Sequence, residues 1–430
     1  MQRRYKALVL AHSSAASKTA AGIRGLRSGA SFAATQAAWR FFSNPRITLP
    51  QLCAPLIETA RAAVAHTCSQ RLLVALDWTR LDFAEHESKS DRIVLQNRHD
   101  LGYKLLTALA LSDRAGEPLA PLCMELKASD GLHSTRQERV LDAPSTLDGL
   151  TPVMSHLEAL QLGRPITCII DREGDSVAHL RAWDLRGWSF LIRARENPRV
   201  VYQGVEMSVK EVARRVELRF ARTVQFNAAD AQQFVGETTV LIERPASQHR
   251  TVHGTRQRKY IPGAPITLRL VLSEVRDAAG KVLAQWLLLT NLPPEIDAAT
   301  VALWYYWRWR IESYHKLLKS AGQQVESWLQ DDAAALLRRL LVSAMACVMV
   351  WQLARDESAE ATEFRAVLVR LSGRLMKRGK HQRGFTEPAL LAGLGVLIPM
   401  LQLLEEKSIE ELRHLAHTVL PEDWLTSNSG

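Results

Sequence analysis

At 430 residues, 47% of them hydrophobic and 23% charged, the chain has room for several domains, and its composition excludes a small disulfide scaffold, collagen and general disorder. Its cysteines, Cys53, Cys68, Cys123, Cys168 and Cys347, form no C-x-x-C pair, which argues against a zinc or dithiol site and for a reducing, cytoplasmic setting. The net charge of +10 points toward a polyanionic partner, and the apolar runs from Ala7 to Ala11 and Leu340 to Leu353 are too short for a signal peptide or a bilayer span, so no membrane role is expected.

Residues 1 to 70 read as a small helical domain, with amphipathic segments around Ala33 to Phe42 and Leu49 to Ala65 broken at Asn44-Pro45. Its first 50 residues hold Arg3, Arg4, Lys6, Lys18, Arg24, Arg27, Arg40 and Arg46 and no acid. Next, Arg71 to Asp77 has the pattern of a buried strand ending in a carboxylate, followed by strand candidates at Tyr103 to Ser112 and Pro121 to Lys127 around the turn Asp113-Arg-Ala-Gly116. A helix over Pro152 to Leu162, the strand Ile166 to Ile170 ending in Asp171, a second helix and the strand Ser189 to Arg193 complete a β-β-β-α-β-α-β order. That is the order of a mixed sheet flanked by helices, placed at 71 to 204.

From 205 to 280 the pattern turns β-rich, with strands expected at Glu217 to Phe226, Glu237 to Glu243 and Ile266 to Val275, and it reads as an inserted subdomain. It carries an acid-free basic stretch from Arg244 to Ser273 with Arg250, Arg256, Arg258, Lys259 and Arg269. The core resumes over 281 to 330, with the strand Gln285 to Thr290 and one long helix from Ala298 to Ser320 capped near Asp297. The rest, 331 to 430, is helical in pattern and holds a third basic stretch from Phe364 to Thr386 with Arg365, Arg370, Arg374, Lys377, Arg378, Lys380 and Arg383. Three separated basic stretches favour nucleic acid, because each cation near a phosphate displaces a condensed counterion.

The chemistry concentrates in three acids. Asp77 and Asp171 each end an apolar strand, where a side chain can leave the core. A lone acid in such a place is usually a turn former, so the third acid matters. Around a continuous helix Tyr305, Arg308, Glu312, Lys316 and Lys319 fall within roughly an 80° sector, beside Trp304, Trp307 and Trp309.

This window resembles a known signature. Tyr305, Arg308, Glu312 and Lys319 have the spacing Y-(2)-R-(3)-E-(6)-K of DDE-class bacterial insertion-sequence transposases, the IS-four family with its Tn-five-like members. Leu76-Asp77-Trp-Thr79 and Ile170-Asp171-Arg-Glu-Gly-Asp175 resemble the family's two catalytic-Asp motifs, Ala38 to Pro45 resembles its N-terminal domain, and Trp286 to Thr290 resembles the strand before the Glu helix. The resemblance covers roughly residues 33 to 328.

It implies an α/β fold: an RNase H-like mixed-sheet catalytic core with a β-rich insertion, flanked by helical N- and C-terminal domains. It implies a DNA transposase performing cut-and-paste transposition through a hairpin intermediate. Asp77, Asp171 and Glu312 would hold two Mg²⁺ ions, with Mn²⁺ as a substitute, since hard cations take carboxylate and phosphate oxygens. Tyr305, Arg308 and Trp286 would handle the transposon end, and Lys316, Lys319 and Arg193 would contact phosphates. The implied partners are double-stranded DNA and a second copy of the chain, in a bacterial, nucleoid-associated setting. The leucines Leu390, Leu391, Leu394, Leu397, Leu401 and Leu404 are the candidate dimer contact. Two other classes share these residues: a metal-dependent nuclease that cuts without joining, and a catalytically silent DNA-binding derivative.

Overall fold

The computed structural model describes residues 1–14, 32–137, 139–140, 143, 145–226, 229–252, 255–374 and 384–419. In chain order its elements are α1 (Gln2–Ser14), α2 (Phe32–Phe42), α3 (Leu49–Thr67), β1 (Leu72–Asp82), β2 (Ile93–Val94), β3 (Leu101–Ser112), β4 (Pro118–Ala128), β5 (Gly131–Ser134) and β6 (Arg139–Val140). Then follow α4 (Leu150–Ala159), β7 (Ile166–Ile170), α5 (Val177–Leu185), β8 (Ser189–Arg193), β9 (Arg199–Tyr202), β10 (Val205–Ser208), α6 (Val209–Ala213), β11 (Arg219–Phe226) and β12 (Ala229–Ile242). The last are β13 (Ala246–Val252), β14 (Thr255–Ile261), β15 (Ile266–Arg276), β16 (Val282–Thr290), α7 (Ala298–Trp307), α8 (Trp309–Leu318), α9 (Ala333–Arg355), α10 (Ala359–Leu371), α11 (Glu387–Glu406) and α12 (Ile409–Val419).

The fold is α/β and divides into two compact units, Thr48–His315 and Met1–Ile47 with Lys316–Gly430. The first unit is built on one large mixed sheet in which β4, β3, β1, β7, β8 and β16 lie side by side in that order. The expected meander is present: β1 pairs antiparallel with β3 and β3 with β4, while β7 runs parallel to both β1 and β8. Leu72 to Leu76 are buried without exception, as a strand covered on both faces requires. The turn between β3 and β4 is tied down by Asp113, whose carboxylate accepts hydrogen bonds from the backbone N–H groups of Ser69, Gln70 and Arg71 at 2.7–2.9 Å. The helix α3, expected to belong with the N-terminal residues, is part of this unit and packs on β4.

The β-rich segment, expected as an inserted subdomain, is continuous with the central sheet. β12 and β15 pair over their length, β15 pairs with β16 and β16 with β8, so these strands extend the central sheet. The physical reason is edge satisfaction: β16 returns to the sheet and presents an open backbone ladder that β15 and then β12 complete. Among the described strands, only the hairpin β13–β14 stands in its own two-stranded sheet. Of the basic residues placed there, the side chains of Arg250, Arg256 and Arg258 lie outside the described residues, and Arg269 is drawn into an ion pair with Glu237 at 2.6 Å.

In the other unit α1 packs against α9 and α11, and α11 against α10. Arg338 of α9 donates to the carbonyls of Ile47 and Phe42 at 2.7 and 3.3 Å, joining the segment after α2 to this helical unit. The helices α9 and α11 are each long and apolar enough to cross a membrane by length and composition, and 83% of the apolar window of α9 is buried inside the protein. The helix around Leu340 to Leu353 is thus 23 residues long, longer than its central apolar run, and it packs as a core helix. Lys18, Arg24, Arg27, Lys377, Arg378, Lys380 and Arg383 lie outside the described residues.

Candidate active site

The sheet register brings the two aspartates together. β1 and β7 run parallel with Leu76 opposite Ile170, so the residues that follow, Asp77 and Asp171, stand side by side. β7 ends there, whereas β1, expected to end at Asp77, continues to Asp82 because β3 goes on pairing with it; Asp77 thus stands where the parallel pairing stops, at the carboxyl end of β7, the side on which α/β sheets place their functional groups. Asp171 opens a single 3-10 turn, Arg172–Gly174, which is tight because a Cβ at Gly174 would stand 2.8 Å from Ile170 Cγ2. The turn therefore leaves the sheet abruptly and keeps the Asp171 carboxylate at its rim.

Glu312 arrives from a helix, but not from the continuous one expected over Ala298 to Ser320. Asp297 caps α7 by accepting from Thr300 N, and the helix stops at Trp307, with α8 starting at Trp309. At the join, Arg308 N bonds the carbonyl of Tyr305 and Ile311 N bonds that of Arg308, three residues apart instead of four, both at 3.0 Å. This tightening interrupts the helical ladder at Arg308 and carries its side chain inward, only 5% exposed.

The guanidinium of Arg308 lies among all three acids. Its Nη1 is 3.3 Å from Asp77 Oδ2, and its Nη2 is 2.7 Å from Glu312 Oε1 and 3.9 Å from Asp171 Oδ2. Arg308 Nε is buried without a hydrogen-bond partner among the described residues. Tyr305 donates its hydroxyl to Asp171 Oδ1 at 3.0 Å, Arg193 Nη1 stands 3.7 Å from the same oxygen, and Asp77 Oδ1 accepts from Trp78 N.

These surroundings push the two aspartates apart electrostatically. Burial raises the Asp77 carboxyl above its ordinary value; Arg308 and the Trp78 N–H oppose this, while Glu312 and Asp171 add to it. At Asp171 burial acts in the same direction but is outweighed by the Arg172 N–H, Arg308, Tyr305 and Arg193, so its carboxyl is held below the usual range. Burial, with the neighbouring Asp171, raises the Tyr305 hydroxyl, which stays protonated and donates.

The other expected residues are placed as follows. Tyr305 and Trp286 are 4% and 7% exposed, so both rings belong to the core in this state, with their centroids 6.5 Å apart. The aromatic that reaches the surface beside them is Trp309, 38% exposed, with its ring centroid 5.9 Å from Trp286, 5.5 Å from Tyr306 and 6.2 Å from Phe226. Sequence reasoning missed Trp309 and Phe226 as site residues; they are distant in sequence, and only the pairing of β11 with β12 brings Phe226 to the sheet. Arg193 joins the acids, whereas Lys316 and Lys319 belong to the helical unit, where Lys319 Nζ lies 3.1 Å from Glu326. His315, in α8, is buried near Thr107.

The carboxylate oxygens of three acids gathered around one cation are donors of the kind that hard divalent ions take. Elsewhere, Asp91, Asp130 and His133 bring ligand atoms within 4.8 Å of one another, with Asp130 Oδ1 3.1 Å from His133 Nε2 and Asp91 accepting from the Tyr103 hydroxyl. No protein-family model matches the chain, and no curated protein matches it.

Proposed function

We propose that this protein is a DNA transposase of the DDE class, cutting and joining DNA ends by metal-dependent phosphoryl transfer on an RNase H-like core. The observation that carries the reading is the convergence of Asp77, Asp171 and Glu312, from β1, the end of the adjacent parallel strand β7 and a helix, onto a single cationic group. The strand order β4-β3-β1-β7-β8, an antiparallel meander continued by parallel strands, supports the RNase H-like assignment. Asp77, Asp171 and Glu312 would hold divalent ions, two Mg²⁺ by resemblance, supplying an activated water or 3′-hydroxyl and charge stabilisation at the leaving oxygen.

The chain's own groups have distinct tasks around that chemistry. Tyr305 orients Asp171 by donating to it, Arg193 adds positive charge beside the same oxygen, and Trp309 offers an exposed aromatic face on which a nucleobase can stack. Exposed cations on α1 supply sequence-independent attraction to the backbone. A homodimer fits the need to hold two DNA ends, and the exposed Leu401, Leu403 and Leu404 at the end of α11 are its candidate contact.

The test is incubation of the full chain with DNA bearing the element's own ends and Mg²⁺, resolving nicks, hairpins and joined products. Joined products support the transposase reading. Nicks without joining would assign a nuclease instead, and binding without cleavage would assign a silent DNA-binding derivative.

A further inference from the structure

Arg308 is bonded in a way that sets it against a metal ion. One guanidinium lies within 4 Å of oxygens from three separate elements, β1, the turn after β7, and α8. Asp77, Asp171 and Glu312 in one rim would repel one another, and Arg308 is the cation that all three share. A divalent ion taking oxygens of Asp77 and Glu312 would compete for the lone pairs that now accept from Nη1 and Nη2, and its charge would repel the guanidinium. Nε has no hydrogen-bond partner among the described residues, so the hydrogen bonds of the guanidinium there are those to Asp77 and Glu312. A guanidinium released from carboxylates finds an equivalent bidentate acceptor in a phosphate.

Resting on the transposase reading above, we propose that Arg308 is an exchangeable counter-ion of the acidic triad. It neutralises Asp77, Asp171 and Glu312 while no metal is bound, and it yields them to a divalent cation when a DNA phosphate takes the guanidinium. Metal and DNA then bind cooperatively, each favouring the state in which Arg308 has left the acids, and linkage makes the effect reciprocal. Arg308 acts here as a positioning residue, through the acids.

The experiment measures binding of Mn²⁺ alone to the full chain, by the electron paramagnetic resonance signal of the free ion, for the wild type, Arg308→Gln and Arg308→Gln combined with Glu312→Gln. The expected result is Mn²⁺ binding at least about tenfold tighter in Arg308→Gln than in the wild type, lost in the double variant, with DNA tightening it by a larger factor in the wild type than in Arg308→Gln. Equal affinity in wild type and Arg308→Gln overturns the counter-ion role while leaving a metal-binding triad in place. Binding in neither overturns both the role and the metal-dependent reading, and tighter binding that survives Glu312→Gln would place the ion elsewhere and overturn the role as well. Should Arg308→Gln fail to fold by circular dichroism, Arg308→Lys decides: a single ammonium cannot bridge three acids, so affinity should still rise, and unchanged affinity overturns the inference.

Discussion

Gly116, at the hairpin between β3 and β4, lies flat against the indole of Trp307 at the end of α7: a Cβ on Gly116 would stand 2.1 Å from Trp307 Cγ, and its φ is +64°. Thus the meander that carries the first aspartate strand also buttresses the helix end next to Arg308. Gly116→Ala should therefore destabilise the protein by about 2–4 kcal/mol, combining left-handed backbone strain with overpacking. Urea unfolding read at the tryptophans measures it. A destabilisation below about 0.5 kcal/mol would mean that the two groups do not stay packed in solution.

Replacing Asp77 or Asp171 with Asn, or Glu312 with Gln, should abolish Mg²⁺-dependent cleavage while leaving DNA affinity within a few-fold of wild type. On the proposed reading each change removes an oxygen charge from the metal-holding triad and leaves in place the cations proposed to meet phosphate. Gel-resolved cleavage and a mobility-shift assay read the two effects separately, and a variant that still nicks DNA at the normal rate would remove its residue from the site.

The Asp113 carboxyl sits below its ordinary value of 3.8: burial would raise it, but the N–H groups of Arg71, Ser69 and Gln70 outweigh that effect. A carboxylate with a depressed folded-state value stabilises fully above the ordinary value and loses its contribution as pH falls below about 4. Asp113→Ala should cost about 2 kcal/mol at pH 7, and the gap from wild type should narrow below about pH 4. Thermal melts at neutral and at acidic pH check both the size and the direction.

The N-terminal cations call for a substitution test, not deletion. Leu8, Val9, His12 and Ser13 of α1 are buried, so removing residues 1 to 50 would open the helical unit. Arg3→Gln with Lys6→Gln leaves that packing intact, because both side chains are exposed. The double variant should make the slope of log affinity against log salt shallower by up to about 1.8, since each phosphate that a cation neutralises contributes about −0.9. An unchanged slope would show that these cations do not meet DNA.

The leucines of α11 grade from buried to exposed along the helix, with Leu394 and Leu397 half-buried between the two ends. Leu390 and Leu391 are buried beside α10, where a Cβ on Gly393 would stand 2.1 Å from Leu368 O, whereas Leu401 and Leu404 are exposed. Leu401→Asp with Leu404→Asp should leave the circular dichroism and melting temperature within a few degrees of wild type and abolish pairing of two DNA ends. Sedimentation in the presence of end DNA measures the pairing, and unimpaired pairing would move the dimer contact elsewhere.

Local pattern alone located the strands Ile166–Ile170 and Ser189–Arg193, the meander, the cap at Asp297 and the strand-end position of Asp171, whereas the strand expected to end at Asp77 runs on to Asp82. These depend on short-range preferences: an apolar run buried on both faces, a turn with Gly, a side chain that caps its own helix. The break at Arg308 was not legible, because every residue from Ala298 to Ser320 suits a helix and the tightening serves a charge that only the other strands supply. Nor was the merging of β12 and β15 into the central sheet, since strand pairing is a property of the partner's open edge and not of the strand itself. The burial of Trp286 and Tyr305 and the exposure of Trp309 were settled in the same way, by which face of each element the sheet covers. Sequence determined which groups could do the chemistry; tertiary packing decided which of them face one another, because a side chain's neighbours across a sheet are set by register and by loops far away in the chain.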